Sequence, residues 1–237
     1  MPDVTLTLGS SPDRSPLPHP GFPQPAANGS GGRGVGRERK TLTRADWIGT
    51  ALDAMARDGL RAVAVEPLAE RLGATKGSFY WHFRDRNALI EAAAAEWERS
   101  DTDVPLAQLD AIADPQERYA ATLRWLTGSE RNTRIFLVVL WHADHPAIGP
   151  VVERILAKRM AFSQRMREDA GRGDEGRDHA EGQWAVVHAY SAWLGLQLLR
   201  RAAPGLMPEG GVTEGFFHYA ASFGGVLAFE GAEEPSE

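Results

Sequence analysis

The chain has 237 residues, a formal net charge of −6 and no cysteine, which excludes disulfides and thiolate metal sites. No apolar run approaches the ~20 residues that a membrane-spanning helix needs, and the N-terminus has no apolar signal region, so we expect a cytoplasmic protein. The length is sufficient for one large or two modest domains with a sizeable core.

The first 41 residues are rich in proline, glycine and serine and have few bulky apolar side chains. This composition predicts disorder, because little apolar surface is available to bury. The segment ends in a basic run from Gly32 to Lys40, which is either a flexible arm that follows a DNA groove or a solvated tail. A second disordered tail is expected at 232–237.

Residues 42–99 contain signals for helix starts and ends. Thr43 with Asp46 three residues later resembles a capping box, and Gly59 marks the end of the helix that follows. Asp85 is placed to cap a later helix. Apolar residues repeat at helical spacing in both segments: Trp47, Ile48, Ala51, Leu52 and Met55, then Leu89, Ile90, Ala93, Ala94 and Trp97.

Between these helices lies VEPLAERLGATKGSFYWHF, residues 65–83, which has the pattern of a helix-turn-helix. Gly73 closes a first short helix, and a second helix is expected from Thr75, with Phe79 and Phe83 on its buried face. The other sides carry polar and large aromatic residues. Two ordinary core helices are the alternative, but a core helix rarely presents lysine, tyrosine, tryptophan and histidine to solvent.

The segment TKGSFYWHF, followed by RDRNAL, resembles the DNA-binding domain of TetR-type transcriptional repressors. The resemblance covers roughly a quarter of the chain, from Leu42 to Trp97, and implies that the second motif helix enters the major groove. The DNA-binding residues that it implies are Thr75, Lys76, Gly77, Ser78, Tyr80, Trp81, His82 and Arg86. Family members often have Thr or Ser with a basic residue where this chain has Val65, Glu66 and Pro67, so a phosphate contact from that helix start is not implied.

The acidic net charge does not exclude DNA binding, because the charge is unevenly distributed. Residues 74–90 contain three basic side chains, Lys76, Arg84 and Arg86, and one acidic side chain, Asp85, a local net charge of +2. The field of a surface charge fades over a Debye length of ~8–10 Å, so local charge governs the attraction of phosphates. We expect an acidic body behind a basic DNA-binding surface.

Residues 100–231 are expected to form a helical domain for effector binding and dimerisation. The boundary is placed where the helical period is lost, between Ser100 and Asp114, and Asp114 followed by proline predicts the next helix start. Residues 135–141, IFLVVLW, are apolar without interruption and predict a helix buried on all sides. Further helices are expected over 151–166, 179–201 and 213–229, with a loop at 169–178.

The family resemblance also implies a small-molecule effector and a homodimer. Candidates to line an apolar effector pocket are Phe136, Trp141, Phe162, Met166, Trp184 and His188. The two last helices each have two apolar faces, which fits a four-helix dimer contact or, as the alternative, burial by the chain's own helices. The candidate dimer residues are Ser191, Leu194, Leu198, Phe216, Ala220, Phe223 and Leu227.

His142 and His145 lie three residues apart beside Asp144, a spacing that can chelate a metal or serve acid–base chemistry. Because Pro146 interrupts the helix and no fourth ligand is evident, we expect histidines that cap, hydrogen-bond or line a pocket, and neither a metal nor a cofactor. No nucleophile elbow or phosphate-binding glycine loop is present, so an enzyme is not expected.

The sequence therefore predicts an all-α protein with an N-terminal three-helix helix-turn-helix domain and a C-terminal helical ligand-binding and dimerisation domain. Its predicted function is that of a ligand-responsive repressor that binds a palindromic operator in double-stranded DNA as a homodimer. A ligand-independent activator or architectural factor is the first alternative. An all-helical enzyme that uses His142 and His145 is the second.

Overall fold

A computed structural model of the chain describes residues 42–169 and 179–207. All regular structure in these ranges is helical, which confirms the predicted all-α class. The helices are α1 (Arg44–Asp58), α2 (Val65–Leu72), α3 (Lys76–His82), α4 (Arg86–Glu98), α5 (Val104–Asp110), α6 (Pro115–Thr127), α7 (Glu130–Trp141), α8 (Gly149–Arg167) and α9 (His179–Ala202), with 3-10 turns at Leu60–Ala62 and Pro204–Leu206 and a π-helical segment at Arg99–Asp103. None of the described helices has the length and apolar character needed to cross a bilayer.

Several predicted elements lie outside the described residues. They are the two terminal tails at 1–41 and 232–237, nearly all of the loop at 169–178, and the last helix at 213–229. These four predictions stay predictions.

α1 begins and ends where the local signals predict. Thr43 Oγ1 accepts a hydrogen bond from the Asp46 amide at 3.3 Å, and the Asp46 carboxylate accepts one from the Thr43 amide at 2.7 Å. This capping box pairs amides that a helix start otherwise leaves free, and such a cap contributes about 1 kcal/mol. At the other end Gly59 has φ of 80°, a conformation that favours glycine, and its amide donates to the Met55 carbonyl.

The turn between α2 and α3 is held at both ends by short-range hydrogen bonds. Gly73 adopts the left-handed conformation, with φ 62° and ψ 31°, and the Ala74 amide donates to the Ala69 carbonyl at 2.8 Å. Thr75 then caps α3, because its Oγ1 accepts a hydrogen bond from the Ser78 amide at 3.2 Å. The predicted helix-turn-helix is therefore present, with the predicted helix ends.

Aromatic residues of α1 and α3 form the centre of the N-terminal bundle. Trp47 and Phe79 are both fully buried and meet edge to face with ring centroids 5.4 Å apart, and Phe79 stacks on Phe83 at 5.6 Å. Leu89 and Ile90 of α4 are buried in the same cluster. Since this packing takes one face of α3, the opposite face is left to solvent.

The predicted loss of helical period after Ser100 is wrong. α4, the π-helical segment and α5 follow one another without a break, so the chain stays helical as far as Asp110. Asp101 and Thr102 in this segment are buried and hydrogen-bonded to Arg159 of α8. Polar residues here face the interior rather than a loop, because each has a partner. The domain boundary placed in this region stays a prediction.

α6 starts as predicted, since the Asp114 carboxylate accepts hydrogen bonds from the amides of Gln116 and Glu117. α7, however, is amphipathic rather than buried on all sides. Ile135 and Val139 are fully buried, whereas Trp141 is 86% exposed. Two residues advance a helix by about 200°, which places Trp141 on the side opposite Val139. An uninterrupted apolar run thus does not show which faces neighbouring elements cover.

Candidate functional site

α3 and its cap present a solvent-facing surface, called here the reading surface, made of Thr75, Lys76, Gly77, Ser78, Tyr80 and Trp81. Tyr80 is 59% exposed and Trp81 is 89% exposed, although both are large aromatic side chains, while Phe79, the residue just before them in the same helix, is fully buried. An exposed aromatic pair is not needed to hold α3 in place, because Phe79 already does so. The structure therefore brings six of the eight predicted DNA-binding residues together on one accessible surface.

Gly77 lies within the reading surface and is not required there by packing. Among the described residues, a Cβ added at Gly77 would meet only Thr75 Oγ1, at 3.5 Å, which is ordinary van der Waals contact. A glycine in a helix costs about 0.5–1 kcal/mol relative to alanine. The absence of a side chain lets another molecule approach the helix backbone closely at this point.

Lys76, the first residue of α3, forms an ion pair with Glu66 in the first turn of α2. The Lys76 side chain is 60% exposed and the Glu66 side chain is 69% exposed. The hydrogen bond and charge of Lys76 lower the pKa of the Glu66 carboxyl, and those of Glu66 raise the pKa of the Lys76 ammonium. Sequence reasoning identified Glu66 only as a departure from the family pattern, because nothing in the ten-residue separation indicates a contact.

The remaining two predicted DNA-binding residues, His82 and Arg86, have partners inside the protein. His82 Nε2 lies 3.1 Å from the Leu42 carbonyl oxygen, and a carbonyl only accepts, so Nε2 donates. Arg86 donates from Nε to the Val63 carbonyl at 2.5 Å and from Nη2 to the Leu60 carbonyl at 2.9 Å. These side chains position the backbone next to the reading surface. Their phosphate contacts stay predictions.

The six candidate pocket residues separate into two groups. Phe136, Phe162 and Met166 are buried, at 2%, 1% and 7% exposure. The other three, Trp141, Trp184 and His188, are on the surface of the described chain, and the rings of Trp184 and His188 lie side by side at 5.9 Å. Large apolar residues at helical spacing do not reveal from sequence alone which of them line an interior. Phe136 packs in the main core cluster, whereas Phe162 and Met166 pack in a second, smaller cluster.

Beside Phe136 lies Arg159, which sequence reasoning missed. Its side chain is 4% exposed, and its guanidinium lies 4.8 Å from the ring centre of Trp125 and 5.0 Å from that of Phe136. It donates to the Asp101 carboxylate at 2.9 Å, and burial raises the pKa of that carboxyl although Arg159 opposes the shift. The signal was present in the sequence, because Arg159 falls within the apolar stripe of α8, between Ile155 and Phe162.

The histidine pair considered for a metal or for acid–base chemistry is engaged with the backbone. His142 Nδ1 lies 2.8 Å from the Val138 carbonyl oxygen, and His145 Nδ1 accepts a hydrogen bond from the Ala147 amide at 3.2 Å. Within residues 42–169 and 179–207, no three His, Asp or Glu side chains are grouped so as to hold a metal ion. The arrangement supports capping roles for both histidines.

The predicted dimer surface is only partly described. On α9, Ser191 is exposed, Leu198 is 50% exposed, and Leu194 is half-buried against the main core. Leu199, which follows Leu198 in α9, is 54% exposed. The four candidates of the last helix, Phe216, Ala220, Phe223 and Leu227, lie outside the described residues.

Comparison with known proteins identifies the N-terminal domain. Residues 48–93 match the family model described as bacterial regulatory proteins, tetR family. The chain is 40% identical over 53 residues to the tetracycline repressor protein class C of Escherichia coli, covering 22% of this chain and 24% of that repressor. It is 24% identical over 107 residues to the HTH-type transcriptional regulator AcrR of Shigella flexneri, covering 42% and 48% of the two chains. Both alignments thus span less than half of the relative.

Solved structures with the same fold extend further along the chain. A transcriptional regulator from Saccharomonospora viridis in complex with choline shares a TM-score of 0.65 at 16% identity, over 76% of this chain and 96% of that one. The transcriptional regulator FadR from Bacillus subtilis in complex with stearoyl-CoA shares a TM-score of 0.54 at 12% identity, over 74% and 94%. Identities this low show a common fold and nothing more.

The capped α2–turn–α3 unit, packed on α1 and α4 with a polar and aromatic outer face, defines an all-α helix-turn-helix protein. Its helix-turn-helix domain belongs to the TetR family of bacterial regulatory proteins, as the segment TKGSFYWHF predicts.

Proposed function

We propose that this chain is a transcriptional regulator that represses its target by binding a palindromic operator as a homodimer and releases the DNA when a small molecule binds. The observation that carries the proposal is the reading surface, where Tyr80, Trp81 and Lys76 stand exposed on a helix anchored from behind by Phe79. The major groove of B-DNA is about 12 Å wide and admits one helix, which suits a single exposed helix face.

The chemistry of the reading surface suits DNA. The Lys76 ammonium can donate to the O6 and N7 acceptors of guanine, and the Ser78 hydroxyl can pair with several base edges. The Tyr80 hydroxyl and the Trp81 indole N–H are donors on apolar rings and can reach phosphate oxygens at the groove edge. Gly77 leaves room for the DNA between these side chains.

A dimer is part of the proposal because one helix-turn-helix makes few contacts. Two reading surfaces about 34–36 Å apart would contact successive major grooves of one palindrome. Leu198 and Leu199, half-exposed on α9, offer apolar surface for a partner subunit.

An effector is supported by the buried aromatic region and by the ligands of the structural neighbours. The buried Phe136 ring lies 5.0 Å from the guanidinium of Arg159, which pairs with Asp101, so an effector with both apolar and polar parts fits best. The neighbours hold choline in one case and stearoyl-CoA in the other, and the difference leaves the effector class open. Moving a population from 99:1 to 1:99 needs about 5.5 kcal/mol of differential binding, which two ligands per dimer would share.

DNA-binding isotherms test the proposal directly. The protein should bind a duplex from upstream of its own gene more tightly than a scrambled duplex, and Lys76→Ala should weaken the specific complex by about 1–3 kcal/mol. Equal affinity for both duplexes would contradict sequence-specific DNA binding, and with it the proposed regulatory function.

Calorimetry tests the ligand response. A ligand that releases the operator must bind more weakly in the presence of operator, by the same factor through which it weakens DNA binding. If DNA binding is specific but no ligand or cell extract changes it, the ligand-independent alternative is the better description.

A further inference from the structure

We infer that Glu66 is a specificity-determining residue, which holds Lys76 away from DNA phosphates and so weakens non-specific binding. The inference rests on the proposed DNA-binding function and adds to it a role for an acidic residue in the helix-turn-helix.

Glu66 is stabilised in its charged form by two features of its position. It lies in the first turn of α2, where the partial positive charge of a helix start favours a carboxylate. It also contacts the Lys76 ammonium at the start of α3, so one ion pair bridges the two helices of the motif. The N-cap of α2 is Ala64, whose side chain offers no competing cap.

Other cations of this domain are engaged in the same way. Arg84 pairs with Asp85 at 3.3 Å, and Arg71 pairs with Asp58 at 3.3 Å. Arg86 is turned inward onto two backbone carbonyls. The local net charge of +2 is therefore a poor measure of the charge that this domain offers to phosphates. Carboxylates and backbone carbonyls of the same chain already pair with Lys76, Arg71, Arg84 and Arg86.

The ion pair affects phosphate and base contacts differently. Non-specific affinity comes from lysines and arginines that neutralise phosphates and release counterions. When Lys76 leaves Glu66 for a phosphate, one anionic partner replaces another, and an uncompensated carboxylate remains near the DNA. The acceptors of a guanine edge are uncharged, so Lys76 can donate one N–H to guanine and another to Glu66 without bringing two anions together, whereas a phosphate that shares the ammonium lies beside the Glu66 carboxylate. Glu66 therefore disfavours the phosphate contact more than the base contact.

The test compares wild type and Glu66→Gln on scrambled duplex DNA over a range of salt concentrations. Freeing one lysine per reading surface should steepen the salt dependence by about 0.9 in the slope of log affinity against log salt. The affinity ratio of variant to wild type should therefore fall roughly 3–4-fold per reading surface between about 50 and 200 mM salt. Operator affinity should change less, so the ratio of specific to non-specific affinity falls.

Two controls separate the ion pair from a general effect of charge. Glu91→Gln makes the same charge change at an exposed position of α4 and should leave the salt slope as in wild type. In a Lys76→Gln background, Glu66→Gln should no longer steepen the slope, because no lysine remains to be freed.

The inference is overturned if Glu66→Gln leaves the slope unchanged, or if the steepening persists in the Lys76→Gln background. These outcomes leave the proposed function intact provided that the wild type prefers its operator. Failure of the wild type to bind any duplex would overturn both the proposed function and the role of Glu66.

Discussion

The guanidinium of Arg159 and the carboxylate of Asp101 form an ion pair at 2.9 Å, with side chains only 4% and 9% exposed. Arg159 belongs to α8, and Asp101 belongs to the π-helical segment that continues α4, the last helix of the helix-turn-helix bundle. Removing two charges from water is costly, and the pair is tolerated because Thr102 and Asn132 supply further hydrogen bonds. The link ties the helix-turn-helix bundle to α8.

Arg159→Met should lower the free energy of unfolding by about 3–5 kcal/mol, because the Asp101 carboxylate stays buried without its cation. Urea unfolding followed by circular dichroism measures the change. Arg165→Met on the same helix removes a 52%-exposed arginine from an ion pair with Asp110, and should cost no more than about 1 kcal/mol. Equal losses for the two variants would contradict a special role for the buried pair.

Glu98 should make stability depend on pH. Burial raises the pKa of this carboxyl, but hydrogen bonds from Arg154 and Lys158 and their charges outweigh burial, so the pKa is lowered from its ordinary value of 4.5. A lowered folded-state pKa stabilises the protein above the unfolded value, and the contribution is lost as pH falls through the folded pKa.

Glu98→Gln should therefore cost about 1.5–3 kcal/mol near neutral pH, and the difference from wild type should shrink as pH falls below 4.5. Chemical unfolding at a series of pH values tests this, with Glu91→Gln as the exposed control. A difference that is independent of pH would show that the charge of Glu98 is not responsible.

Phe79→Ala should lower folding stability, whereas Trp81→Ala should lower DNA affinity, although the two positions lie two residues apart in α3. Phe79 is fully buried, and its truncation should cost about 3–5 kcal/mol of folding stability. Trp81 is 89% exposed, so its truncation should change stability by no more than about 0.5 kcal/mol yet weaken operator binding. Thermal unfolding measures the stability of both variants, and DNA-binding isotherms measure their affinity for the operator. Wild-type DNA affinity in Trp81→Ala would exclude this residue from the interface.

Leu198→Glu should convert a dimer into a monomer without unfolding α9. The side chain is 50% exposed in a single chain, so a carboxylate there is solvated in the monomer but buried and unpaired in the proposed interface. Sedimentation at micromolar concentration measures the change, and circular dichroism checks the helices. Val104→Glu, at an exposed apolar position of α5, is the matched control and should sediment as the wild type does. A monomeric wild type would contradict the dimer.

The exposure of the candidate DNA-binding residues was more predictable than the burial of the candidate effector residues. The exposure of Tyr80 and Trp81 follows from the position of Phe79 on one helix, because a helix has a fixed periodicity. The burial of Phe136 and the exposure of Trp141 do not follow from their own segment, which is apolar throughout. Which side chains of α7 are buried depends on which neighbouring helices cover this helix.

The sequence by itself determined the motif and those helix ends that carry a local cap. The bonds that define them join residues two to five positions apart, as between Thr43 and Asp46, Ala69 and Ala74, and Asp114 and Gln116. Only the tertiary structure decided that the polar residues after α4 are interior, because their partner Arg159 is 57 and 58 residues away. Helix caps depend on local geometry, which the chain carries with it, whereas a buried charge is acceptable only when packing supplies its counter-charge.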